Sequence, residues 1–268
     1  IKPNLLLVYL NQQHSIKIIM ISLKIYCVTN KRLIQLEKSF LSLAGVGNDK
    51  LPENYIIPNI LENIYYKEKY YSELTFHYWY WKNLMKSENA EWVGFCQKRR
   101  FWIKNESSII DINKSNFEEH LLTEPEEVWK NYESIICNPI NVSGMKKIKL
   151  LKRGWKNILK NPLIFFNKNK ETIKLHFDMH HGYGNLDKAI NLLGDDRSEF
   201  RDFVNQNVKF NPHIMFITKP KVLNLWFSKL FPWLEECEKI FGFENLKGYD
   251  TTRIYAYLAE RYQSFWFK

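Results

Sequence analysis

Residues 71–102, YSELTFHYWYWKNLMKSENAEWVGFCQKRRFW, join a helical pattern to an apolar strand that stops on consecutive cations. Leu74, Tyr78, Trp81 and Met85 recur at spacings of four, three and four, which sets them on one helix face. Ser72 is placed to cap that helix, with Glu73 in the first turn, where a carboxylate suits the helix dipole. Trp92-Val93-Gly94-Phe95-Cys96 reads as a short strand, and Gln97-Lys98-Arg99-Arg100 follows at once. Open α/β sheets bind ligands just beyond the carboxyl ends of their strands, so cations there make a candidate anion site. The plainer reading is a solvated basic loop.

The same alternation extends along the chain. Strand Leu23–Val28 leads through Thr29-Asn30-Lys31 into an expected helix with Leu33, Leu36, Phe40 and Leu43 on one face, closed by Gly45 at its C′ position. A polar connection with Pro52 and Pro58 follows. Later strands are expected at Ser134–Cys137, stopped by Pro139, and around His213–Thr218. A helix is expected from about Pro220, with Pro232 ending or kinking it. The last helix is expected to start at Asp250 or Thr251, with Arg253, Tyr257, Glu260 and Ser264 on one stripe and Ile254, Leu258 and Phe265 beside it. Alternating strands and helices favour a mostly parallel sheet.

A length of 268 residues allows one large domain or two small ones, and 45% hydrophobic residues exclude a disordered chain. Cys27, Cys96, Cys137 and Cys237 are scattered, without zinc spacing, which fits free thiols in a reducing compartment. The net charge of +10 points to anionic partners: nucleotide diphosphates, acidic lipid or nucleic acid. No apolar run reaches the roughly 18–20 residues of a membrane span, and no signal-peptide cleavage pattern opens the sequence. Residues 146–160, KKIKLLKRGWKNILK, carry seven cations and no carboxylate, with Ile148, Leu151, Trp155 and Ile158 at helical spacing. Such a helix suits the surface of an anionic membrane, or is the basic outer face of a packed helix.

Several of these segments resemble a glycosyltransferase-like family of bacterial capsule, O-antigen and exopolysaccharide gene clusters, long described as a domain of unknown function. Its signature is roughly NIS-x-KN-x-x-Y-x-ELT-x-x-YW-x-WKN, then a strand ending G-x-CHYRRYF. Asn63-Ile64, Lys67, Tyr71, Glu73-Leu74-Thr75, Tyr78-Trp79 and Trp81-Lys82-Asn83 keep that spacing, and Gly94, Cys96, Arg99, Arg100 and Phe101 match the second part. Departures are Tyr65 for the family Ser and Gln97-Lys98 for His-Tyr. Leu23–Lys31 resembles the opening strand; Thr172-Ile173-Lys174, His181 and Asn185-Leu186 resemble a T-V…H-x-x-x-D-L stretch; Met215-Phe216-Ile217 and Arg253 through Arg261 resemble the closing strand and helix.

The resemblance implies a GT-A-like α/β domain over 20–268, with flanking helices and a helical C-terminal part. Residues 20–140 would form the nucleotide half and 141–268 the acceptor side. Residues 1–19 precede the first family strand and are expected outside the core, with Met20 as the expected start. The implied reaction moves a hexose from a nucleotide sugar, UDP-linked, to a surface-polysaccharide or lipid-linked glycan, in the cytoplasm at the inner face of the plasma membrane. Its leaving diphosphate must be neutralised. Many GT-A enzymes use a divalent cation, Mn2+ or Mg2+, held by Asp-x-Asp; the nearest match here is Asp111-Ile112-Asn113, so no metal ligand is assigned, and ligands distant in sequence keep a metal open. Lys98, Arg99 and Arg100 are expected to take the diphosphate directly, since guanidinium groups fork onto phosphate oxygens.

Thr29, Asn30 and Lys31 fall where GT-A folds hold the nucleotide. Glu73, Lys82 and Asn83 are either site residues or ordinary helix ends. His180 and His181, before Gly182 and Gly184, are able to act on an acceptor hydroxyl or are surface histidines. Asp187 is able to stand in for the family aspartate, here Asn185. Arg253 and Glu260 share a helix face; Glu260 is either the general base of an inverting reaction or half of an ion pair. Trp79, Tyr80, Trp81, Trp92 and Trp102 offer a sugar platform or fill the core. Rival classes are a basic nucleic-acid-binding module, which lacks any recognisable motif here, and a catalytically degenerate relative. Cations converging on one pocket favour the enzyme; cations striped over an open face favour nucleic acid.

Overall fold

The computed structural model describes residues 21–104, 112–113 and 115–268. The segment 1–19 and Asp111 of the Asp-x-Asp-like match lie outside the described residues.

Strand β1 (Ile21–Thr29) lies inside the sheet, parallel to β2 (Ser42–Gly45) on one side and to β3 (Ala90–Gln97) on the other. Strand β7 (Phe216–Thr218) runs antiparallel to β3, and β4 (Ser134–Ile136) antiparallel to β7, giving the order β2-β1-β3-β7-β4. The sheet is therefore mixed and mostly parallel, as in a GT-A-like α/β fold. A separate two-stranded ribbon joins β5 (Ile140–Asn141) to β6 (Lys209–Phe210).

Both faces of the sheet are covered, and the side-chain period of two divides β1 between them. Tyr26 and Val28 face a large core with Val93, Phe95 and Phe216. Leu23, Ile25 and Cys27 face a smaller one with Leu36, Leu43, Trp92 and Ile217. At Gly94 the sheet closes so tightly that a Cβ would sit 2.8 Å from Ile217 Cγ1. The large core is roofed by α2 (Leu74–Trp79), α7 (Pro220–Phe241) and α9 (Ile254–Trp266), with Trp226 and Tyr255 fully buried. Around them pack α3 (Lys147–Lys160), α4 (Ile173–His181), α5 (Asn185–Ile190) and α6 (Arg197–Gln206). No helix among the described residues is long and apolar enough to cross a membrane.

Four local expectations are corrected. Residues 33–43 form no helix: only the single turn Ile34–Leu36 is helical, and the chain then enters β2. Ser39 takes the turn by donating to the Leu36 carbonyl at 2.8 Å, and buried Leu43 and Ala44 extend the sheet. Gly45 ends a strand, not a helix, with Leu51 and Ile57 packed where its side chain would be. Ser72 does not cap with its hydroxyl; it separates the turn α1 (Glu68–Tyr71) from α2, at φ 53°. Helix α7 runs through Pro232 to Phe241, so of the two expected effects of Pro232, ending or kinking, the ending is corrected.

Candidate active site

β1 and β3 are parallel neighbours in register, Cys27 beside Cys96 and Val28 beside Gln97, so their carboxyl ends deliver Thr29-Asn30 and Lys98-Arg99 to one place. β3 stops in a tight turn. Gln97 and Arg100 exchange backbone hydrogen bonds of 3.2 and 3.0 Å, leaving Lys98 and Arg99 at the tip. The Lys98 N–H also donates to Val28 O at 3.2 Å, tying the turn to β1. Beyond these ends opens a cavity of about 530 Å³, within the size range of small-ligand sites. Its opposite wall comes from Glu68, Ser72 and Glu73, from His213 and Ile214, and from the Arg253, Ala256, Tyr257 and Glu260 stripe at the start of α9.

Of the residues expected at the site, Thr29, Asn30, Glu73, Lys98, Arg99, Arg100, Arg253 and Glu260 all line this cavity. Arg99 and Arg100 are exposed and form no ion pair among the described residues. The Lys98 ammonium donates to Asn30 Oδ1, and burial together with the charges of Arg99, Lys31 and Arg253 lowers its pKa. Crowded cations of this kind favour an anion between them. Arg253 breaks the chain between α8 (Tyr249–Thr252) and α9, stacks over Tyr249 with its guanidinium carbon 5.0 Å from the ring centre, and donates to Ser72 Oγ at 3.2 Å.

The two carboxylates differ. Glu73 accepts from the Gln97 side-chain amide, and burial raises its carboxyl above the ordinary range against the opposing effects of the Ser72 hydroxyl and Arg253. Glu260 is engaged by Arg261 and by the His213 backbone N–H. Arg261 is itself buried, its guanidinium carbon 3.8 Å from the Phe210 ring centre. Among the described residues three non-glycine residues have positive φ, and two of them, Ser72 at 53° and His213 at 64°, line the cavity. Strained backbone of this kind costs on the order of 1–3 kcal/mol per residue and gathers at functional sites. Here it aims a hydroxyl at Arg253 and an N–H at Glu260.

Six expected residues do not line the cavity. Lys31 lies just outside it, its N–H held by Thr29 Oγ1 at 3.0 Å. Lys82 and Asn83 are at the far end of the α2 segment, where Lys82 meets Glu62 at 3.2 Å and Asn83 donates to Glu62 O at 2.8 Å. His181 is buried; it stacks on Tyr257 with ring centres 3.9 Å apart, and its Nδ1 bonds Asp250 O at 2.7 Å. Burial, aided by Arg261, pushes its pKa down to about 3, so the ring is neutral. His180 faces a neighbouring groove with Arg153 and Tyr249. Asp187 is bridged by Lys174 at 3.0 Å, together with buried Asp178 at 2.7 Å. The five aromatics proposed as a sugar platform line no part of the cavity. Trp79, Tyr80 and Trp92 are core, Trp81 stacks on Phe231, and Trp102 donates to Phe95 O at 3.0 Å. The cavity aromatics are Tyr257, which lies on the expected α9 stripe beside Arg253 and Glu260, and Tyr249, which no sequence pattern marked. Glu68, Ser72, Gln97 and His213 also went unassigned.

Among the described residues no three His, Cys, Asp or Glu side chains converge as ligands.

The family model described as "Domain of unknown function (DUF4422)" matches residues 24–268. No curated protein matches the chain. Among solved structures, the apo structure of the bifunctional glycosyltransferase WbbM superposes with a TM-score of 0.68 at 19% identity, covering 91% of this chain and 42% of that one. The chain thus spans less than half of that neighbour's length, and the likeness is one of fold.

Proposed function

From the premise that this chain belongs to the DUF4422 family, we propose that it is a glycosyltransferase moving a hexose from a UDP-linked sugar to a surface-polysaccharide or lipid-linked glycan. One observation carries this reading: Lys98, Arg99, Arg100 and Arg253 converge, with Glu73 and Glu260, on one cavity at the carboxyl ends of two parallel strands.

In this reading the diphosphate lies against the β3 turn. Arg99 and Arg100 are uncommitted and able to fork onto its oxygens. Thr29 and Asn30 face the nucleotide. An acceptor hydroxyl enters from the α9 side, past Tyr249 and Tyr257, whose rings suit an apolar sugar face. Of the two carboxylates Glu73 is the better proton acceptor, because burial raises its basicity, whereas Glu260 is occupied by Arg261 and the His213 N–H. Glu73 takes the hydroxyl proton as the new carbon–oxygen bond forms at the anomeric carbon. The bond to the diphosphate breaks, its electron pair stays on the phosphate oxygen, and the arginines meet that charge. Glu260 holds the His213 loop and the arginine-rich wall in place. No step passes through a metal.

The test is calorimetric titration of UDP into the wild type, Arg99→Ala, Arg100→Ala and Glu73→Gln, with folding checked by melting. A charged hydrogen bond is worth about 1.5–3 kcal/mol, so each arginine variant should lose roughly ten- to a hundred-fold in affinity. Glu73→Gln should keep UDP affinity and lose about a hundred-fold or more in transfer. Wild-type affinity in both arginine variants, or no UDP binding by the wild type, would overturn the reading.

A further inference from the structure

The cavity does not account for where the charge of this chain resides. Between residues 146 and 170 lie nine lysines and arginines and no carboxylate, nearly the whole of the +10 net charge. Helix α3 carries most of them. Its inner face is thin: Leu150 and Gly154 are buried, and Gly154 packs on Met179 of α4, its missing side chain leaving only 3.3 Å to the Met179 sulfur.

The outer face is unusual for a solvated helix. Ile148, Leu151, Trp155 and Leu159 are all exposed, Trp155 by 51% and Leu159 by 72%. At 3.6 residues per turn these four fall within roughly a quarter of the circumference. Lys149, Lys152, Lys156 and Lys160 follow on the side away from the buried face. The turn Pro162–Phe165 that follows exposes Leu163, and Phe166 just beyond it is 79% exposed. Apart from Arg153, 3.7 Å from Asp250, no cation of α3 is paired with a carboxylate among the described residues.

We propose that α3 and the turn after it dock this protein on an anionic lipid bilayer, the apolar stripe entering the headgroup boundary and the lysines meeting lipid phosphates. The two properties together select this occupant. Nucleic acid would reward the lysines and leave the leucines and Trp155 exposed. A second copy paired about a two-fold axis would cover the stripe but set one cationic helix against another. An anionic membrane surface satisfies both. The Arg153–Asp250 pair ties α3 to α8, whose Tyr249 lines the cavity, so a docked molecule holds the cavity mouth close to the lipid surface. Access to a lipid-linked acceptor from there rests on the glycosyltransferase reading; the docking itself does not.

The experiment is flotation of the full chain with phosphatidylcholine vesicles and with vesicles containing phosphatidylglycerol, at low and high salt. Recovery should be at least about ten-fold greater with the anionic vesicles and should fall as salt screens the lysines. Leu159→Ser with Phe166→Ser, and separately Lys152→Glu with Lys156→Glu, alter exposed side chains only. Each pair should abolish recovery while leaving the melting temperature and UDP titration unchanged. Equal recovery on neutral and anionic vesicles overturns the proposal, as does wild-type recovery of either double variant. A dimer in analytical ultracentrifugation that the Leu159/Phe166 pair converts to monomer assigns the face to a second copy. Loss of UDP binding with docking intact would fail the catalytic reading alone.

Discussion

Replacing His77 by leucine should stabilise the fold, and more so in acid. His77 lies in α2, fully buried, its ring 4.2 Å from that of Phe95 and 5.9 Å from those of Phe216 and Phe227. Neither ring nitrogen has a hydrogen-bond partner among the described residues. A buried unpaired polar group costs about 1–3 kcal/mol, and repacking a side chain of similar size costs under about 1.5, so His77→Leu should gain about 1 kcal/mol near pH 7.5. Acid adds to this. Burial depresses the His77 pKa from 6.5 to about 3, so the unfolded chain binds a proton that the folded one refuses. The contribution of His77 is therefore complete above pH 6.5 and lost progressively as pH falls towards 3. At pH 5 the loss is about 1.5 pKa units at 1.36 kcal/mol each, or about 2 kcal/mol. His176, depressed to about 2, and His181, to about 3, titrate in both proteins and cancel in the comparison. Melting followed at both pH values should show the advantage of the variant widening by roughly 4–8 °C in acid, at about 2–4 °C per kcal/mol. A gap that does not change with pH, or a variant less stable at both, would refute the reasoning.

Ser72→Gly should leave stability within about 1 kcal/mol, since glycine takes φ 53° freely, while Ser72→Val should lower it by about 2 kcal/mol; urea unfolding separates the two. Gly94→Ala should destabilise by about 1–3 kcal/mol, because its Cβ would lie 2.8 Å from Ile217 Cγ1 and 3.2 Å from Ile25 Cγ1, and the urea midpoint should fall with an unchanged slope. Arg261→Met should cost about 3–5 kcal/mol by stranding Glu260, and adding Glu260→Gln should recover part of that loss in the same assay.

The strands that build the site were legible because their patterns had no competing reading. Leu23–Val28 and Trp92–Cys96 are short apolar runs ending in polar residues, and both form parallel strands whose ends meet. The α9 stripe was equally legible: Arg253, Tyr257 and Glu260 face the cavity, and Ser264, further along, anchors Asn211. Residues 33–43 misled because a spacing of three and four over eleven residues also arises by chance in a turn followed by a buried strand. The early strand β2 could have been suspected from Ser39 and Ser42, which favour turns over helix interiors. Lys82 and Asn83 share a motif with Glu73, yet a helix of this length carries its two ends to different surroundings. His213 and Ser72 enter the site through backbone conformations that no residue pattern announces, since neither is a glycine.

That pair of conformations and the crowded cations point the same way. A cavity lined by Lys98, Arg99, Arg100 and Arg253 keeps like charges close, and burial together with the charges of Arg99, Lys31 and Arg253 lowers the pKa of Lys98. Ser72 and His213 add backbone strain on the opposite wall. Neither feature stabilises the unliganded fold. Both are sustained by a core that draws on residues from Tyr26 to Tyr262, where Trp226, Tyr255 and Phe216 are fully buried. A ligand that places negative charge between the cations relieves the repulsion, and it meets a hydroxyl and an N–H already aimed at their partners, so little reorganisation remains. The lysines of α3 show the contrast. They too are concentrated, but on an exposed helix beside apolar side chains, and among the described residues none of them is in an ion pair. On the two proposals made above, charge in the cavity selects a small anion, and charge on α3 meets an extended surface.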